Sequence, residues 1–297
     1  MKFKIFVFSL IFILVSNPSM TWAKSQSPNL VTIGFTPGDD PEWLKKNGIE
    51  LAKVLQSKLG VSFNIYISKN YSGLVEAMKE KKVDFGFFSA LTFVDAEQKA
   101  GAKVLLKKIW EGPFYYSAVV TLKKNKIDSI EGLKGKRFGY VDERSTSGYF
   151  YPMAMLMKKN IDPDKFFSST KFYGTHEATV KALLKGDVDA IAVYSDDNKG
   201  KSGAWVKFAG DKKLDFQVLW MSEPIPNDPF CVRQDFYDTY PHFTHDLMFA
   251  LIDLRDEPRE KNILKSLYGI NGLDLATSRQ YDSVRELVKY LNVKAGH

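Results

Sequence analysis

The chain has 297 residues, enough for one large domain or two ordinary ones. Hydrophobic residues make up 44% and charged residues 26%, so cores can pack and the chain as a whole is not membranous. The net charge of +7 draws anions towards the surface, but no run of basic residues is interleaved with aromatics, which excludes a nucleic-acid footprint.

Met1-Lys2-Phe3-Lys4 is a short positive start, followed by an apolar run from Ile5 to Val15 broken by Ser9. Asn17, Pro18 and the small-residue end Thr21-Trp22-Ala23 complete the layout of a cleaved secretory signal peptide over residues 1–23. As a membrane anchor the run is short for a bilayer. No cysteine stands at the cleavage point, so lipid anchoring is not expected and the mature chain reads as a free, periplasmic protein. The one cysteine, Cys231, rules out an internal disulfide and reads as a small buried hydrophobe. With four scattered histidines and no second cysteine, no metal or other cofactor is expected.

From there strands alternate with helices. Val31 to Phe35 reads as a strand, Trp43 to Leu59 as a helix and Val61 to Ile67 as an alternating strand. Tyr71 to Lys82 reads as a helix and Val83 to Phe88 as a strand. This order predicts an α/β fold with mostly parallel sheets flanked by helices. The same order recurs 105 residues later. Ile33-Gly34-Phe35 matches Phe138-Gly139-Tyr140, and Val83-Asp84 matches Val188-Asp189. After about residue 225 three apolar helical faces follow, Phe236 to Leu254, Pro258 to Leu267 and Tyr281 to Leu291, and they are expected to return to the first unit. The predicted organisation is two lobes, residues 24–120 with 225–297 and residues 121–224. The chain would cross between them near Val119-Val120-Thr121 and between Trp220 and Asp228, making a hinged clamp with a ligand in the cleft.

Helix starts present unpaired N–H groups and suit anions. The second strand-to-helix turn reads Ser145-Thr146-Ser147-Gly148, with three hydroxyl donors and a glycine that would let a ligand approach closely. The competing reading is that Ser145 or Ser147 only caps the helix. Tyr71 and His176 open the matching helices of the two repeats, and a phenol and an imidazole there could donate to one anion. A lone histidine otherwise reads as a surface or satisfied core residue. Asp196, after a strand, and Asp228, at the second crossing, would repel a bare oxyanion and make sense beside an amine; the competing reading is solvated turn acids.

Taken together, Tyr71-Ser72-Gly73, Tyr115-Tyr116-Ser117, Ser145-Thr146-Ser147-Gly148, Gly174-Thr175-His176-Glu177 and Ile225-Pro226-Asn227-Asp228-Pro229 resemble the phosphonate- and phosphite-binding receptors of ABC importers, type II periplasmic binding proteins. The resemblance runs from about Val31 to Tyr290. It implies that Tyr71, Ser145, Thr146, Ser147 and His176 bind phosphonate oxygens, and that Tyr115, Gly148 and Ser89 line the cleft. It also implies that Asp196, or its neighbour Asp197, and Asp228 hold the amine of an aminoalkylphosphonate. The partners implied are a small phosphorus oxyanion and an ABC permease, with a monomeric receptor. A sensing subunit that binds phosphite, phosphate or another oxyanion keeps the same fold. A hydrolase built on Ser147 and His176 would need a Gly-x-Ser-x-Gly elbow or a metal cluster, and the sequence has neither.

Overall fold

The computed structural model describes residues 27–37, 40–110, 112–210, 215–258 and 260–294; the expected signal peptide lies outside them. The chain first forms β1 (Leu30–Phe35), α1 (Pro41–Leu59), β2 (Ser62–Ile67), α2 (Tyr71–Lys79), β3 (Phe85–Phe87), α3 (Ala90–Ala100) and β4 (Ala102–Ile109). It continues through β5 (Phe114–Leu122), β6 (Arg137–Tyr140), α4 (Tyr151–Lys158), α5 (Pro163–Phe166), β7 (Ser169–Phe172), α6 (His176–Lys185), β8 (Ala190–Ser195), α7 (Ala204–Lys207), β9 (Phe216–Met221) and β10 (Ile225–Pro226). It ends with β11 (Pro229–Arg233), α8 (Gln234–Thr239), α9 (Pro241–Asp253), α10 (Lys261–Tyr268), β12 (Gly272–Leu275) and α11 (Asp282–Lys294). No helix among the described residues is long and apolar enough to cross a membrane.

Two six-stranded sheets result. The first has the order β12-β4-β11-β3-β1-β2; the second runs β10-β5-β8-β6-β7, with β9 also on β5. The parallel trios β2-β1-β3 and β7-β6-β8 are the two expected repeats. The added strands pair antiparallel, so each sheet is mixed rather than mostly parallel.

The repeat extends to side-chain roles. Asp84 accepts the Thr32 N–H at 2.9 Å, and Asp189 accepts the Arg137 N–H at 2.9 Å, one clip at the foot of each trio. Asn70 caps α2 by accepting from Gly73 N at 2.8 Å, and Thr175 caps α6 by accepting from Ala178 N at 3.1 Å. Each cap satisfies a helix-start donor that has no partner within its own helix.

Several boundaries differ from expectation. The strand Phe114–Leu122 lies wholly in the second sheet, so the first crossing falls between β4 and β5 rather than near Val119-Val120-Thr121. Val119 and Val120 face cores of the second lobe, which made them look like continuous lobe interior. The second crossing, between β10 and β11, lies inside its expected window. The run Phe236 to Leu254 breaks at Tyr240, because Pro241 has no N–H to continue the helix and instead opens α9. Pro258 sits in a turn before α10, not in its first turn.

Helices α9 and α10 pack on the first lobe, while α11 lies against both α3 of the first lobe and α4 of the second. Leu247, Leu251, Leu264 and Leu267 join Val31, Ile33 and Phe35 of β1 and Leu51 and Leu55 of α1 in one core. Each such fully buried side chain contributes about 1.5–3 kcal/mol of transfer free energy. Cys231 is fully buried, as its sequence context implied, and burial pushes its thiol well up. The two crossings are tied together. Asn227 Nδ2 donates to Gly112 O at 2.8 Å, and Tyr281 OH donates to Asn227 O at 2.7 Å.

Candidate ligand-binding site

A cavity of about 650 Å³ lies between the lobes, within the usual range for a small-molecule site. Tyr71, Ser89, Tyr115, Ser145, Thr146, Ser147, His176, Asp196 and Asp228 all line it. Residues far apart in sequence thus converge, because the strand-to-helix loops of both trios open on this gap.

The second-lobe wall begins after β6. Asp142 turns the chain, its Oδ1 accepting from Arg144 N at 2.8 Å. Thr146 to Phe150 then form one wide turn, in which Phe150 N donates to Ser145 O and Tyr151 N to Thr146 O before α4 continues. Such π turns insert an extra residue and are frequent at functional sites. Here the turn seats three hydroxyl residues, all nearly buried, on the cavity wall.

Ser145 is indeed a cap, since its Oγ accepts from Gly148 N at 3.0 Å. Capping uses an acceptor lone pair and leaves the O–H free to donate, so cap and ligand donor are compatible roles. Thr146 Oγ1 accepts from Leu91 N at 2.9 Å, a bond from one lobe to the other. Ser147 O accepts from Ser117 Oγ of β5 at 2.6 Å, which fixes the turn on its own sheet. Arg144 adds an ion pair across the cleft to Asp95 at 3.3 Å. Gly148 is a correction. It does not line the cavity; a Cβ there would lie 2.3 Å from Val141 Cγ2, so the glycine serves close packing against β6 rather than ligand approach.

Tyr71 and His176 are the first residues of α2 and α6 and reach the cavity from opposite lobes. His176 Nδ1 is buried without a hydrogen-bond partner, and its ring meets the edge of Tyr194 with centroids 4.8 Å apart. Burial, with Lys207 adding to it, pushes His176 down to about 3. The imidazole is therefore neutral at pH 7. Because the folded value lies below the unfolded one, the unfolded chain takes up the proton first. Ligand-free stability should fall as pH drops from about 6.5 towards 3. His176→Gln should flatten that limb in thermal melts, and an unchanged limb would show that other groups carry it.

The two repeats are not chemically equivalent. Asp40 accepts from Trp43 N at 2.9 Å, at the position that Ser145 and Gly148 occupy in the second repeat. The first lobe thus offers Asp40-Pro41-Glu42-Trp43 where the second offers Ser145-Thr146-Ser147-Gly148. Acids repel an oxyanion and proline has no N–H to give. Helix starts without an acid or proline therefore face the cleft at α2 and the Ser145 turn, whereas α1 opens on Asp40, Pro41 and Glu42.

Among the acids, Asp196 lines the cavity and accepts from Ser202 Oγ at 2.7 Å. Asp197 turns into its own loop. Burial works against its charge, but the N–H groups of Lys199, Lys201 and Ser202 leave its carboxyl below the ordinary range. Asp228 meets an amine that belongs to the protein. Lys108 Nζ lies 3.2 Å from Asp228 Oδ2 and 3.5 Å from the centroid of the Tyr268 ring. Burial pushes Asp228 up and Lys108 down, and each opposes the effect on the other. Tyr115 stands beside both Thr146 and Asp228, and burial raises its hydroxyl well above its ordinary value.

Sequence reasoning missed Lys108, Trp43, Trp110 and Tyr268, which also line the cavity. Lys107 and Lys108 follow the apolar run Val104-Leu105-Leu106, and β alternation points them to opposite faces, which was the available signal.

A family of periplasmic substrate-binding proteins of phosphonate ABC transporters matches residues 33–281. The phosphonates-binding periplasmic protein of Escherichia coli is 27% identical over 88% of this chain and 76% of its own. A probable ABC transporter phosphite binding protein, PhnD1 of Prochlorococcus marinus, is 25% identical over 96% of this chain and 95% of its own. The solved structure of that PhnD1 in complex with methylphosphonate shares the fold, with a TM-score of 0.76 and 23% identity over 90% of this chain and 99% of that one. With a family match spanning both lobes and the whole cavity between them, the chain belongs to the phosphonate-binding periplasmic proteins of ABC transporters.

Proposed function

We propose that the chain captures a phosphonate in the interlobe cavity, closes over it and delivers it to a membrane permease. Ser145, Thr146, Ser147, His176 and Tyr71 would take the phosphonate oxygens, with Tyr115 and Ser89 completing the wall. The observation that carries this reading is the buried, unpartnered Nδ1 of His176 on the same wall as three hydroxyls of one helix start. A neutral imidazole can donate to an oxyanion without an opposing charge of its own. Export to the periplasm through the leader and a monomeric state belong to the same proposal. So does an aminoalkylphosphonate ligand, which would need an acid free to hold its amine. Asp196 offers a carboxylate at the wall, whereas Asp228 already holds Lys108.

Nothing in this reading requires catalysis. Nucleophilic hydrolysis needs a serine paired with its base, and His176 Nδ1 bonds to no serine. Calorimetry of the mature protein against methylphosphonate, 2-aminoethylphosphonate, phosphite and phosphate is the direct test. A phosphonate should bind in preference to phosphate; silence with every phosphonate would remove the proposal. His176→Ala should weaken phosphonate binding by about 1.5–3 kcal/mol, the loss of a hydrogen bond to a charged group. Co-purification with a histidine kinase in place of a permease would favour the sensing subunit.

A further inference from the structure

An ammonium held against aromatic rings beside a carboxylate is the chemistry by which proteins bind amine ligands. In this cavity such a box is built and filled. Lys108 comes from the C-terminal end of β4 and is 1% exposed. Its Nζ lies 3.5 Å from the ring centroid of Tyr268, 5.7 Å from that of Phe87 and 5.8 Å from that of Trp110. Asp228 closes the fourth side at 3.2 Å. Tyr115 stands beside both Asp228 and Thr146 of the oxyanion turn, and all three line the same cavity. The filled amine box and the oxyanion turn therefore face the same cavity, with Tyr115 between them.

We propose that Lys108 sets the specificity of this cavity: it places the chain's own ammonium where a ligand amine would sit, and so selects phosphonates whose organic part carries no positive charge. The inference rests on the phosphonate reading and narrows it to a ligand class. A second ammonium in the box would lie within a few ångströms of Lys108 in a poorly hydrated space, where like charges repel strongly. It would also have to share a single carboxylate. Expelling Lys108 instead would leave a buried cation without its partner, which is costly. An uncharged alkyl group meets only aromatic surface. Lys108 keeps N–H donors beyond its bond to Asp228, so an acceptor on the ligand is also satisfied.

Calorimetry with methylphosphonate, ethylphosphonate as a neutral size control, and 2-aminoethylphosphonate tests this on the wild type, Lys108→Met and Lys108→Met/Asp228→Asn. The wild type should bind the two alkylphosphonates at least about tenfold more tightly than the amine. Lys108→Met empties the box and frees Asp228, and should move that ratio roughly tenfold or more towards the amine. The double variant removes the carboxylate and should lose this shift. The wild-type ratio decides the matter even if Lys108→Met fails to fold. A wild-type complex with 2-aminoethylphosphonate as tight as with ethylphosphonate, through Asp196 or any other acid, overturns the inference and leaves the phosphonate reading standing. An unchanged ratio in a folded Lys108→Met also overturns it. No heat with any of the three ligands overturns both.

Discussion

Asp84→Ala is expected to lower the unfolding free energy by about 3 kcal/mol, and Asp189→Ala by no more than about 1 kcal/mol, in urea melts at pH 7. The two aspartates do the same job in the two repeats. Each accepts a backbone N–H at the foot of a parallel trio and pairs with an arginine. Their surroundings differ. The side chains of Arg233 and Asp84 are 11% and 16% exposed, whereas those of Arg137 and Asp189 are 45% and 25% exposed. Removing Asp84 leaves the Arg233 guanidinium with the Val83 carbonyl and Asp235 alone, and leaves the Thr32 N–H without an acceptor. At the exposed site water replaces what is lost. Burial raises the Asp84 carboxyl despite Arg233, while the hydrogen bond from Arg137 holds Asp189 low. Asp84→Asn, which keeps an acceptor for Thr32, should therefore cost less than Asp84→Ala. Equal losses at positions 84 and 189 would refute burial as the deciding variable.

Gly148→Ala should cost about 2–3 kcal/mol of stability, the upper part of the overpacking range, and abolish measurable phosphonate binding. The added methyl would stand 2.3 Å from Val141 Cγ2, 2.6 Å from Val141 Cβ and 2.8 Å from Ser145 Oγ. No rotamer of Val141 relieves a clash with its own Cβ, so the wide turn must move, and its three hydroxyls move with it. Gly112→Ala is the matched control, because nothing lies within 4 Å of a Cβ at that site. Wild-type affinity in a folded Gly148→Ala would show that the turn is not the rigid oxyanion wall proposed above.

The repeat was legible in the sequence because the elements that define it are local. Val83-Asp84 and Val188-Asp189 mark strand starts, and Asn70 and Thr175 mark helix starts, so one register could be followed through both lobes. The site residues that open helices were legible for the same reason. Chain crossings were harder to see. β5 is apolar along most of its length, and no local signal tells which of two sheets an apolar strand joins. The pairing of Lys108 with Asp228 joins positions 120 apart and depends on how β11 lies beside β4. The role of Gly148 likewise depends on Val141 standing under the turn, which spacing alone does not reveal. What stayed hidden in the sequence is the set of contacts made only when the sheets assemble.

Ser145, Thr146, Ser147 and His176 all belong to the second lobe, and of the proposed oxyanion donors Tyr71 alone comes from the first. This uneven distribution has a kinetic consequence. In the proposed reading, a ligand caught by the second lobe would travel with it when the cleft parts, so capture and enclosure would be separate events in time. The rate of capture would then follow diffusion to one exposed wall and answer to ionic strength. The rate of escape would answer to the Leu91–Thr146 bond and the Asp95–Arg144 ion pair, which join the lobes across that wall.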